Sequence, residues 1–124
     1  YKPDPGLPTL MSVSDNYVFD MAMVNYKLGE YDKAIEEWSG LLEIQAGNDS
    51  LQYFLANAYL AKNDFINAKA FFEKVTKKPE SEFINESFWY LALIHIKEGN
   101  KEAARELIQK SNHYNKQKAL EILK

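Results

Sequence analysis

At 124 residues the chain is long enough for one domain with a real hydrophobic core, and 46% apolar against 27% charged residues is the balance of a soluble globular protein. The absence of cysteine excludes disulfides, thiolate metal sites and cysteine nucleophiles. A net charge of −3 argues against nucleic acid as a main partner, since phosphate binding wants a basic face, and no run approaches the roughly 18 apolar residues of a membrane span, so direct membrane insertion is not expected.

Residues 1–14 stand apart as an extended arm or linker. Pro3, Pro5 and Pro8 fall there with Gly6, and proline fixes φ, removes a donor and pushes its predecessor towards extended geometry. No signal peptide is visible; a chain that starts at Tyr1 and not at Met reads as an excised piece. Asp15 is the expected N-cap of the first helix, about Asn16–Leu28, with Tyr31–Ile44 following. Gly29 suits the left-handed position between the two. Gly47-Asn48-Asp49-Ser50 reads as the next turn. A second pair is expected over about Leu51–Ala61 and Phe65–Lys77, closed by Lys78-Pro79. The third should cover about Asn85–Lys97 and Lys101–Lys110 around Gly99-Asn100, with a last helix over about Asn115–Lys124.

The pairs are copies of one pattern. Gly29, Ala34 and Trp38 share their spacing with Asn63, Ala68 and Phe72, and with Gly99, Ala104 and Ile108. The alanines are 34 and then 36 residues apart. A period near that length containing two helices marks a helical solenoid, in which each unit must stack on a neighbour to bury its apolar face. The expected architecture is an all-α right-handed solenoid of about seven helices. Units lie at about 15–48, 49–82 and 85–111, and a capping helix at 115–124 completes a single domain over 15–124. Charge is uneven along it: residues 1–48 carry 3 basic and 8 acidic residues, and 84–124 carry 7 and 5. That is either a set of solvated helix faces or a basis for head-to-tail contact between copies.

These residues resemble the tetratricopeptide repeat, whose pattern runs aromatic, Leu-Gly/Ala, aromatic, and later Ala and an aromatic before Pro. The first unit matches at Met21-Ala22, Gly29, Tyr31, Ala34 and Trp38. The second matches at Leu55-Ala56, Tyr59, Phe65, Ala68 and Phe72, the third at Phe88, Leu91-Ala92, Gly99 and Ala104. Asn25 and His95 depart from the pattern where the second unit has Tyr59, and Lys101 replaces an aromatic. A proline-rich lead-in, three repeats and a short closing helix are also similar to the soluble part, periplasmic or cytoplasmic, of some membrane-anchored bacterial repeat proteins.

The resemblance implies that the first helix of each pair lines a concave face. The positions it points into that groove are Phe19, Tyr53 and Trp89, an aromatic in every unit. Met23, Asn57 and Leu93 follow, then Tyr26, Leu60 and Ile96, with Lys27 and Lys97 at the two ends. Two readings stand: these rings pack between neighbouring helices, or they anchor an extended or helical peptide. The lysine-and-asparagine grip on a C-terminal carboxylate known in some relatives is disfavoured, because Phe19 and Met23 occupy positions it requires. The expected function is a non-catalytic protein–protein interaction module with an aromatic groove and a protein or peptide partner. The alternative is structural self-association as a homo-oligomer through the arm, the groove or the charged ends.

Nothing points to catalysis, and no cofactor or metal is expected. His95 falls at a packing position inside a helix and His113 in a turn, expected to be solvated. The two histidines make no local metal motif. Glu36 and Glu37 are adjacent and so diverge around a helix, and Glu80 and Glu82 lie in a connection.

Overall fold

The computed structural model describes residues 13–113 and 115–123, Val13 by its backbone alone. Seven helices are found among them: α1 (Val13–Lys27), α2 (Tyr31–Ile44), α3 (Asp49–Ala61), α4 (Phe65–Thr76), α5 (Ile84–Lys97), α6 (Lys101–Lys110) and α7 (Lys116–Ile122). Each packs on its neighbours in sequence, from α1 on α2 through to α6 on α7, which is the arrangement of an all-α helical-repeat solenoid.

The turns explain why the pairs form. Gly29 and Gly99 have φ of +83° and +82°, and Asn63, at the equivalent place in the second pair, has φ of +62°. Asparagine is one of the few residues that tolerates this left-handed region. The N–H groups of Glu30, Asp64 and Asn100 donate to the carbonyls of Asn25, Tyr59 and His95 at 2.8–2.9 Å. Those of Gly29, Asn63 and Gly99 donate to Tyr26, Leu60 and Ile96. This is the Schellman closure, which satisfies carbonyls left open at a helix end. Caps then start the following helices: the side chains of Asn48, Asp64 and Asn100 accept from the N–H groups of Leu51, Asn67 and Ala103 at 3.2–3.3 Å.

Several boundaries differ from the sequence reading. Residues 1–12 of the expected arm lie outside the described residues, but Val13 and Ser14 already belong to α1. Asp15 therefore sits in the first turn and not at the cap, favourably placed for the positive end of the helix dipole. The first helix of the second unit starts earlier than expected, at Asp49 and not at about Leu51, because Asn48 takes the capping role.

Six alanines hold the stack together. Ala22, Ala34, Ala56, Ala68, Ala92 and Ala104 are all fully buried, two per pair, so paired helices can approach closely there. The larger core residues divide into three clusters along the solenoid. Trp38, Leu41, Leu51 and Leu55 centre the first; Phe72, Leu91 and Ile94 the second; Ile108 and Leu123 the third. Every cluster draws on successive pairs, or on the last pair and α7, as a stacked repeat requires. Ion pairs between units, Lys62–Asp32 and Lys69–Glu98, run along the exposed side and contribute little.

Candidate ligand-binding face

The residues expected to line a groove fall on α1, α3 and α5, but the structure treats them differently. Phe19, Met23 and Tyr26 are partly buried against the first core cluster. Phe19 lies 5.9 Å from the Trp38 ring and 5.8 Å from Phe54, centroid to centroid, while Tyr26 lies 5.8 Å from Trp38. These rings serve the packing between α1, α2 and α3. Tyr53 is covered by a residue that sequence reasoning passed over: Phe83, just ahead of α5, stacks on it at 4.4 Å and 11°. Asn57 is half-buried and donates its side-chain amide to the backbone carbonyl of Tyr53, one turn back in α3, at 3.0 Å. Lys27 and Lys97 are exposed.

Burial, with the Tyr90 phenol nearby, pushes the Tyr53 hydroxyl up to about 12. Its ordinary value is 10, so in alkaline solution the unfolded chain loses this proton before the folded one does. The stability tied to the neutral phenol is thus fully present below pH 10 and is lost as the pH rises towards 12. Melting temperature should fall over that interval, and less steeply in Tyr53→Phe than in the native chain. Equal slopes would mean that Tyr53 titrates like a solvated phenol.

Trp89 and Leu93 meet a different environment. They border an open cavity of about 500 Å³ between α5 and the closing helix. Its other apolar walls are Ile96 of α5, Ile108 of α6, and Ala119, Ile122 and Leu123 at the C-terminal end, while Lys101, Lys118 and Asn115 add polar groups. The cavity exists because α7 is short. Seven residues of α7 span about 10 Å, half the length of the 14-residue α5 at about 1.5 Å per residue, so the cap covers only part of the last unit. Ile122 is 75% exposed and Leu93 40%. No acidic residue lines the cavity.

His113 was expected to be solvated; its side chain is instead almost enclosed, stacked on Trp89 at 3.9 Å and 7°, with Nε2 3.8 Å from the Glu86 carboxylate. The stack fixes one face of the indole while the ring still borders the cavity. His95 is half-buried, 3.9 Å from the Glu98 carboxylate that Lys69 also holds. Among the described residues no group of three or more His, Asp or Glu could hold a metal ion, and no helix is long and apolar enough to cross a membrane.

Comparison with known proteins fits this geometry. The tetratricopeptide-repeat model matches residues 50–77, which cover most of α3 and all of α4. No curated protein matches the sequence. Among solved structures, the chain is similar to the Sgt2 tetratricopeptide-repeat domain from Aspergillus fumigatus, with a TM-score of 0.75 and 18% identity over 94% of this chain and 80% of that one. At that identity the likeness establishes the fold and leaves the ligand open.

Proposed function

We propose that this chain, a tetratricopeptide-repeat protein, is a protein–protein interaction module that seats a bulky apolar side chain of its partner in the cavity between α5 and α7. The observation that carries this reading is the cavity itself. A folded domain normally fills space of that size with its own side chains. Here apolar walls stay open beside Trp89 and Leu93, two of the positions that the repeat pattern assigns to ligand contact.

The polar groups refine the partner. Lys101 and Lys118 are exposed, and with no carboxylate in the lining they favour a peptide with an acidic residue next to its apolar anchor. Outside the cavity, Phe19, Met23, Tyr26, Lys27, Tyr53, Asn57 and Lys97 belong to the same reading as flanking surface along α1, α3 and α5. Phe19 and Tyr26 have much of their area committed to the core, so they contribute less than Trp89. Full burial of one apolar anchor contributes about 1.5–3 kcal/mol, which corresponds to roughly ten- to hundredfold in affinity.

Panning a displayed library of random dodecapeptides against the chain tests this. Enriched peptides should carry a large apolar residue beside Asp or Glu, and their binding should shift the tryptophan emission, since Trp38 is fully buried and Trp89 is not. Leu93→Asp, at a partly exposed position, should lower affinity at least tenfold while the far-ultraviolet circular dichroism stays unchanged. Peptides that bind Leu93→Asp as well as the native chain would remove the cavity from the site.

A further inference from the structure

We infer that two copies of this chain pair through the outer face of α1, antiparallel and related by a two-fold axis. This goes beyond the peptide reading and, apart from Lys27 at the edge of both, uses a different surface. One side of α1 is committed to the fold, where Ala22 is fully buried and Phe19 and Tyr26 pack on Trp38. The opposite side carries a second apolar stripe. Tyr17, Met21, Val24 and Leu28 are 67%, 39%, 48% and 72% exposed, and among the described residues no helix covers them. At 3.6 residues per turn the four fall within about 60° of one another. Apart from Leu93, Ile96 and Ile122 at the cavity, the exposed large apolar residues Ile44 and Ile66 form no such row.

The spacing of the stripe is four, three and four residues. This is the alternation by which one helix inserts side chains between those of another. It selects a helix as the occupant, and α1 of a second copy presents the same stripe to the first. The charges then fix the direction. Asp20 and Lys27 are both exposed, lie seven residues apart on the same flank of the stripe, and make no ion pair among the described residues. An antiparallel two-fold pairing sets Tyr17 opposite Leu28 of the second copy and Met21 opposite its Val24. The same operation brings Asp20 beside Lys27 of the second copy, and Lys27 beside its Asp20, so one interface gains two opposite-charge contacts. Parallel pairing gives neither.

Against this works the acidic balance of residues 1–48, with 3 basic and 8 acidic residues, which the two copies bring together. With a contact only one helix wide, the dimer is a weak one, forming at roughly 100 μM.

Sedimentation equilibrium of the 124-residue chain from about 10 μM to about 1 mM tests the pairing. The average mass should rise from 14.3 kDa towards twice that value. Val24→Asp should hold the chain at monomer mass with unchanged helicity. Asp20→Lys and Lys27→Asp should each weaken association several-fold, and the double variant should restore it, because the exchanged charges meet again only in the antiparallel register. A native chain that stays monomeric throughout overturns the inference, as does a dimer that Val24→Asp leaves intact. If removal of residues 1–12 alone creates the dimer, the chain's own N-terminal segment covers the stripe and the second copy is not its occupant.

Discussion

Replacing Trp38 by alanine is expected to destabilise the protein by about 3–5 kcal/mol, the range for deleting a large aromatic from a packed core. Trp38 has no exposed surface and joins three helices. Its ring stacks on Phe54 of α3 at 5.7 Å and 29°, and lies 5.9 Å from Phe19 and 5.8 Å from Tyr26 of α1. Its indole N–H also donates to the backbone carbonyl of Phe19 at 3.3 Å, so alanine would remove a donor as well as volume. At about 3–6 °C per kcal/mol for a domain of this size, the melting temperature should fall by about 9 °C or more. The loss has a direction too. Units of a repeat protein touch only their neighbours, so the first pair should unfold ahead of the rest, and emission from Trp89 should report a later transition than total helicity. A decrease under about 1 kcal/mol would show that the first core cluster does not depend on this ring.

The parts of the molecule that were legible in the sequence are those that repeat. Gly29 and Gly99 announce left-handed turns by residue type alone, and the spacing from each turn to Ala34, Ala68 and Ala104 locates one fully buried alanine in each second helix. Asn63 was readable by position, since it stands where the other units have glycine. What was not legible depends on the path of the connections. Phe83 stacks on Tyr53 because the segment after α4 returns across the start of α3, and His113 covers Trp89 in the same way after α6. Periodicity describes which face of one helix is apolar; it does not say which ring from a non-repeating loop will lie on that face.

The candidate site shows the same division. The pattern assigned Phe19, Tyr53 and Trp89 to one groove as equivalents because they share a register, yet of the three only Trp89, with Leu93 one turn on, borders the cavity. They are not equivalent in the fold. The first unit has the large indole of Trp38 in its second helix, and that ring draws Phe19 inwards. At the other end Ile108 replaces the aromatic and α7 is too short to fill the space, so a cavity opens there. One polar departure has a local partner: Asn25, in place of an aromatic, donates to the Glu37 carboxylate at 2.6 Å and so ties α1 to α2.

Ala68→Leu puts the alanine contacts to the test. Ala68 is fully buried in the central cluster with Ala56, Phe72, Leu91 and Ile94, where α3, α4 and α5 meet. A leucine there must push helices apart or force strained side-chain conformations, at a cost of about 1–3 kcal/mol. Ala70, two residues on, is exposed on the same helix. Leucine and alanine differ little in helix propensity, so Ala70→Leu should shift stability by no more than about 0.5 kcal/mol. The pair of variants therefore separates packing from local helix preference with the same change of side chain. The central unit supports both neighbours, so Ala68→Leu should lower the whole unfolding transition, in contrast to the staged loss expected for Trp38→Ala. Equal melting temperatures for Ala68→Leu and Ala70→Leu would mean that α4 does not approach α3 and α5 closely at Ala68, and that the repeat register is wrong.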